Sequence, residues 1–99
     1  MFTHKDVLVE QIEKPMSFKS NPLPVCLNFN TDKIIGRATC RYDGNKLFAD
    51  IELTVYVKDL YPAIAYIPAT DKDPGHIICI GLCNFPNLDA SIKPLQNVK

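Results

Sequence analysis

Tryptophan is absent from this chain of 99 residues, and glycine and histidine are scarce, at four and two. The glycines stand apart at positions 36, 44, 75 and 81. Such dispersal excludes a glycine-rich loop that cradles phosphate. Serine occurs only as Ser17, Ser20 and Ser91, all in proline-flanked stretches, and neither His4 nor His76 is spaced to converge with them. A serine nucleophile held by its base at about 2.6 to 3.2 Å is therefore not expected. Charge of neither sign predominates, since eleven basic residues balance eleven acidic ones. The basic footprint of a nucleic-acid or anionic-membrane binder is missing. Long apolar runs are missing too: nothing approaches the roughly 20 residues of a membrane span. The first residues, MFTHKDVLVEQIEK, are too acidic and too weakly apolar for an export signal. The expected compartment is a reducing cytoplasm, with Cys26, Cys40, Cys79 and Cys83 as reduced and mostly buried thiols.

What is present is alternation. Ile34, Gly36, Ala38, Cys40 and Tyr42 share one face of a strand, with Ile35, Arg37, Thr39 and Arg41 opposite. After Asp43-Gly44, Leu47, Ala49, Ile51 and Leu53 share a face against Lys46, Phe48, Asp50, Glu52 and Thr54. Period-2 patterning on both sides of an Asp-Gly predicts a β-hairpin. Asp50 and Glu52 then face Arg37 and Arg41 across it, which reads as cross-strand ion pairing on a solvated face.

Further strands are expected over Val7–Ile12, Pro24–Phe29, Ala63–Ile67 and His76–Asn84. The last is almost wholly apolar, as in a strand covered on both faces or closed into a barrel. Residues 14–24 carry Pro15, Pro22 and Pro24 and read as loop or edge. Residues 55–61 fit either strand or a helical turn that Pro62 ends, and a short helix fits only around Leu88–Ile92. The fold class that follows is mostly β. It is a single domain over residues 1–99, built as a small antiparallel β-barrel or strongly curved sheet with at most one or two short helices.

The chemistry-bearing residues read as structural. His76-x-x-Cys79-x-x-x-Cys83 suggests zinc, but residues four apart on a strand lie roughly 13 Å from each other. The two sulfurs diverge, so neither a metal nor a cofactor is expected. A Cys–His pair of Cys26 or Cys40 with His76 is the remaining nucleophilic option, without an electropositive turn or helix start to lower a thiol pKa. Ile34, Ala38, Leu47, Ile51 and Ile78 are candidates to line an apolar lumen for a small ligand, with Gly36, Ala38 and Ala49 leaving room. Phe48, Tyr56, Tyr66 and Phe85 lie off the aliphatic stripe and are candidate anchors for a protein partner or for self-association.

Three stretches carry a family resemblance: residues 25–39 (VCLNFNTDKIIGRAT), 42–54 (YDGNKLFADIELT) and 77–93 (IICIGLCNFPNLDASIK). Together they span about two thirds of the chain, and Gly36-Arg37-Ala38 and Asn84-Phe85-Pro86-Asn87 are the most distinctive pieces. In these segments the chain resembles the prohead (head-maturation) proteases of tailed bacteriophages, whose barrel is similar to the herpesvirus assemblin fold. Where that family places its catalytic histidine this chain has Phe29, within Asn28-Phe29-Asn30. Where the family has its nucleophilic serine, the chain reads Ala63-Ile64-Ala65-Tyr66. The resemblance thus implies a barrel without the protease chemistry: a non-catalytic phage or prophage assembly module, in the bacterial host cytoplasm or associated with the virion. The alternatives left open are a residual cysteine- or serine-type hydrolase and a ligand-binding barrel.

Overall fold

The computed structural model describes residues 1–30 and 32–95. Seven strands arise in them: β1 (Phe2–Gln11), β2 (Ser17–Phe18), β3 (Leu23–Leu27), β4 (Ile34–Asp43), β5 (Lys46–Leu53), β6 (Tyr61–Ile67) and β7 (His76–Cys83). The expected hairpin is β4–β5, in register from Gly36 opposite Leu53 to Asp43 opposite Lys46. Its two-residue loop is Gly44-Asn45, one residue later than the Asp43-Gly44 reading, and Gly44 takes the positive φ of 61° that the tight connection requires. Leu47, Ala49, Ile51 and Leu53 are fully buried, and every residue between them is not. That alternation is what anchors the sheet by its inner face.

The hydrogen-bonded order is β1-β5-β4-β3-β7-β2, with β6 on the other side of β7. The sheet is mixed, which corrects the antiparallel expectation. β7 runs parallel to β3 over Ile80–Leu82 and parallel to β2 at His76 and Ile77. Parallel strands need a long connection, and here the chain travels through β4, β5 and β6 before β7 inserts between β3 and β6. The path of backbone bonds does not return to its start, so the sheet is open. β1 and β6 approach each other without pairing among the described residues.

Three local expectations change. β1 begins at Phe2, five residues before Val7, because bulges after His4 and after Leu8 keep it in step with β5 despite its polar Thr3–Asp6 run. Pro62 lies within β6, opposite Leu82, where no other strand needs its missing N–H. Residues 88–92 form turns, not a helix. Asp89 accepts hydrogen bonds from the Ser91 amide at 2.9 Å and the Ser91 hydroxyl at 2.6 Å, and such side-chain bonds compete with helix. The segment then crosses to β6: Leu95 N–H donates to the Leu60 carbonyl at 2.8 Å, and Ile92 and Leu95 are buried.

One continuous core joins Val9, Leu23, Val25, Ala38, Leu47, Ile51, Leu53, Ile77, Ile80, Leu82 and Leu95. Between β2 and β3, Asn21 extends the ladder with its side chain. Its amide donates to the Cys40 carbonyl and accepts from the Cys40 N–H, both at 3.0 Å. The Asn21–Pro22 peptide is cis. Among the described residues no helix is long and apolar enough to cross a membrane.

Candidate functional site

The outer face of the sheet divides into two chemically different halves. Over β1, β5 and β4 it is ionic. Arg37 pairs with Glu52 at 3.2 Å, and Arg41 pairs with Asp50 at 3.4 Å and with Asp6. The Asp6 N–H donates to Asp50 at 2.9 Å. That backbone bond, then Arg41, holds the Asp50 carboxyl below the usual range. The cross-strand pairing read from the hairpin is present.

Over β3, β7 and β6 the outer face is apolar. A bulge creates it. Val25 opposes Gly36 and Cys26 opposes Ile34, so the register skips Ile35. Ile35 packs against the core, and Ile34 turns outward with 60% of its surface exposed. Cys26 opposes Gly81, and Ala63 and Ala65 oppose Gly81 and Cys79 from the other side. These small residues lower the surface beneath Phe29. Asn28 and Phe29 both take positive φ, at 51° and 60°, closed by a bond from Asn30 N–H to the Leu27 carbonyl at 3.0 Å. The turn brings the Phe29 ring onto Gly81, where a Cβ would stand 2.3 Å from Cε1. The same face carries a hollow of about 360 Å³ lined by Pro24, Cys26, Ile34, Ile78 and Cys79 together with the polar Lys19 and Ser20.

The four predicted anchors are not brought together. Phe48 lies in the ionic half, with the Arg41 guanidinium 5.6 Å from its ring centroid. Tyr56, 55% exposed, meets Phe2 edge-on at 5.8 Å in the β5–β6 connection. Tyr66 is exposed at the end of β6, and Phe85, 75% exposed, lies in the segment after β7. Phe29 and Ile34, the centre of the apolar half, were missed as surface residues. The doublet Ile34-Ile35 carried the signal: two adjacent isoleucines on a strand cannot both point inward without a bulge.

The expected lumen residues do not line one space. Ala38, Leu47 and Ile51 are fully buried within the core, whereas Ile34 and Ile78 belong to the outer hollow. Cys26 and Cys79 are neighbours on adjacent strands, and among the described residues no third histidine, cysteine or acidic group joins them. Burial pushes the Cys40 thiol up to about 11. Burial, then its hydrogen-bonded neighbour Cys26, does the same to Cys79, again to about 11. Cys26 stands level with Gly81, five residues along β7 from His76 and so roughly 16 Å away. His76 instead faces Asp73 at 3.8 Å. β7 is extended as read, and Cys83 sulfur lies 3.9 Å from the Tyr61 carbonyl and 3.7 Å from that of Phe85. Among the described residues no three histidine, cysteine or acidic side chains converge on a metal position.

His4 differs most from its reading. Although only three residues from the first residue, it lies inside β1 opposite Ile51, only 8% exposed.

No protein-family description, no curated protein and no solved structure matches the chain.

Proposed function

We propose that this chain is a non-enzymatic assembly module of phage or prophage origin, binding a protein partner or another copy of itself through the apolar half of its outer sheet face. The observation that carries the reading is the split of that face. Arg37, Arg41, Asp50 and Glu52 neutralise one half among themselves, while the other half presents Ile34 and Phe29 to solvent over a floor of alanine, glycine and cysteine. Apolar patches rimmed by polar surface are typical of protein contacts. Both arginines are held by carboxylates, and basic and acidic residues balance at eleven each, so no net positive field attracts nucleic acid. The scaffold is read as an assemblin-like barrel left open at one seam. The approach of β1 to β6 and the Leu95–Leu60 backbone bond support that reading. Such a module works in the host cytoplasm or within the virion.

The test is the solution mass by multi-angle scattering, together with capture of a co-expressed coat protein. The expected result is a mass above one chain or stoichiometric capture, either of them lost in Ile34→Lys, whose circular dichroism is unchanged. A single-chain mass with no coat-protein capture overturns the reading.

A further inference from the structure

A second feature, independent of the apolar face, lies along β1 at an edge of the sheet. A cleft of about 520 Å³ separates Thr3–Leu8 of β1 from residues 91–95. His4 lines it, more than nine-tenths buried, and its imidazole has no hydrogen-bond partner among the described residues. Neither ring nitrogen is sealed away from solvent, because no side-chain nitrogen or oxygen is both enclosed and unpaired. The ring lines the cleft, and solvent reaches its nitrogens. Water in the cleft can hydrate this ring, and a ligand acceptor can take that water's place.

The rest of the cleft defines the ligand. Val7, Leu8, Pro94 and Leu95 supply apolar walls. Of the other polar groups, Asp6 is engaged with Arg41 and Ser91 with Asp89 and Gln11, while Thr3 adds a hydroxyl to the lining. Lys5 stands close enough to Asp50, on the outer face, to lower that carboxyl. Lys93 lines the cleft without an ion pair among the described residues. One imidazole donor, one ammonium and an apolar trough fit an anionic head on a hydrocarbon body. The size lies within the range of small-molecule sites.

We propose that the cleft between β1 and the 91–95 segment binds a small monocarboxylate with an apolar tail, its carboxylate held by His4 and Lys93. Burial keeps the His4 pKa below its ordinary value, so the free imidazole is neutral at pH 7 and donates one N–H.

The experiment is a proton NMR titration of the full chain with sodium octanoate. The chain has two histidines, so His76 is the internal control. The expected result is a saturable shift of the His4 ring protons with His76 unmoved. Lys93→Met is expected to weaken octanoate about five-fold, the size of an exposed charge contact, and 1-octanol to bind more weakly than octanoate. Equal shifts of both histidines, indicating adsorption, overturn the proposal, as does a cleft that takes octanol as well as octanoate. So do His4 resonances that ignore octanoate yet move when residues 96–99 are removed.

Discussion

The Phe29 ring occupies the space that a side chain on Gly81 would need, so that a turn at the end of β3 is fitted to a gap in the middle of β7. An aromatic residue at φ 60° is strained by about 1 kcal/mol or more, and contact with the flat Gly81 backbone offsets it. Gly81→Ala is expected to displace the ring and to lower stability by about 1 to 2 kcal/mol. Phe29→Ala/Gly81→Ala should lose less than the two single changes summed, as a urea-denaturation double-mutant cycle will show. Strict additivity would mean that the ring and the glycine are not coupled.

Tyr42 ties the β2 segment to the hairpin. Its hydroxyl donates to the Met16 carbonyl at 2.7 Å and accepts the Met16 N–H at 3.0 Å, while its ring stacks on Phe18 at 5.4 Å. Tyr42→Phe keeps the stack and removes both bonds, at an expected cost of about 1 to 2 kcal/mol. Amide exchange at Met16 should accelerate in the same variant.

Asn21 is predicted to matter as much as a buried residue although it is exposed. Its two bonds to Cys40 replace a backbone pair where the chain enters β3. Asn21→Ala leaves the part-buried Cys40 amide and carbonyl without that partner, for an expected loss of about 1 to 3 kcal/mol by thermal or urea unfolding. Asn21→Asp restores only the accepting bond and should recover part of the loss.

How stability responds to pH follows from the thiols on one side and His4 on the other. Cys40 and Cys79 are raised from the ordinary 9.0 to about 11. Their contribution is complete below pH 9 and is lost as pH rises through 11. Cys40→Ala should flatten part of that decline. His4 is shifted the other way, below 6.5. Its contribution is present above pH 6.5 and fades as pH falls toward the folded value, and His4→Gln should remove this acid-side slope.

Reagent access separates the same groups. Cys83 is half-buried and Cys26, Cys40 and Cys79 are buried. A thiol-exchange reagent is expected to modify Cys83 first and the other three only at the rate of unfolding. Faster labelling of Cys26 or Cys40 would favour the hydrolase alternative instead.

The hairpin was legible because every position from Leu47 to Leu53 obeys one period and its burial follows suit. β7 was legible as a central strand because both its faces are covered. Its parallel partners were not, since periodicity within a strand is silent about direction. Parity failed wherever a bulge intervened. Ile35 and Ile78 are the skipped residues in the β3–β4 and β6–β7 registers, and each skip moves neighbouring side chains to the opposite face. The burial of His4 was not legible because Thr3-His4-Lys5-Asp6 is a polar run with no alternation. Pairing with β5, not local propensity, makes that stretch a strand.

The strand that completes the sheet is made last. Until Cys83 has left the ribosome, β2, β3 and β6 lack the neighbour that they all share, and their inner faces remain open to other chains. Non-local parallel seams form slowly, so co-translational holding by a chaperone, or overexpression in its absence, should decide between soluble yield and inclusion bodies. A substitution that delays docking of Ile77–Leu82 should cut yield in cells by more than its effect on the finished protein would suggest.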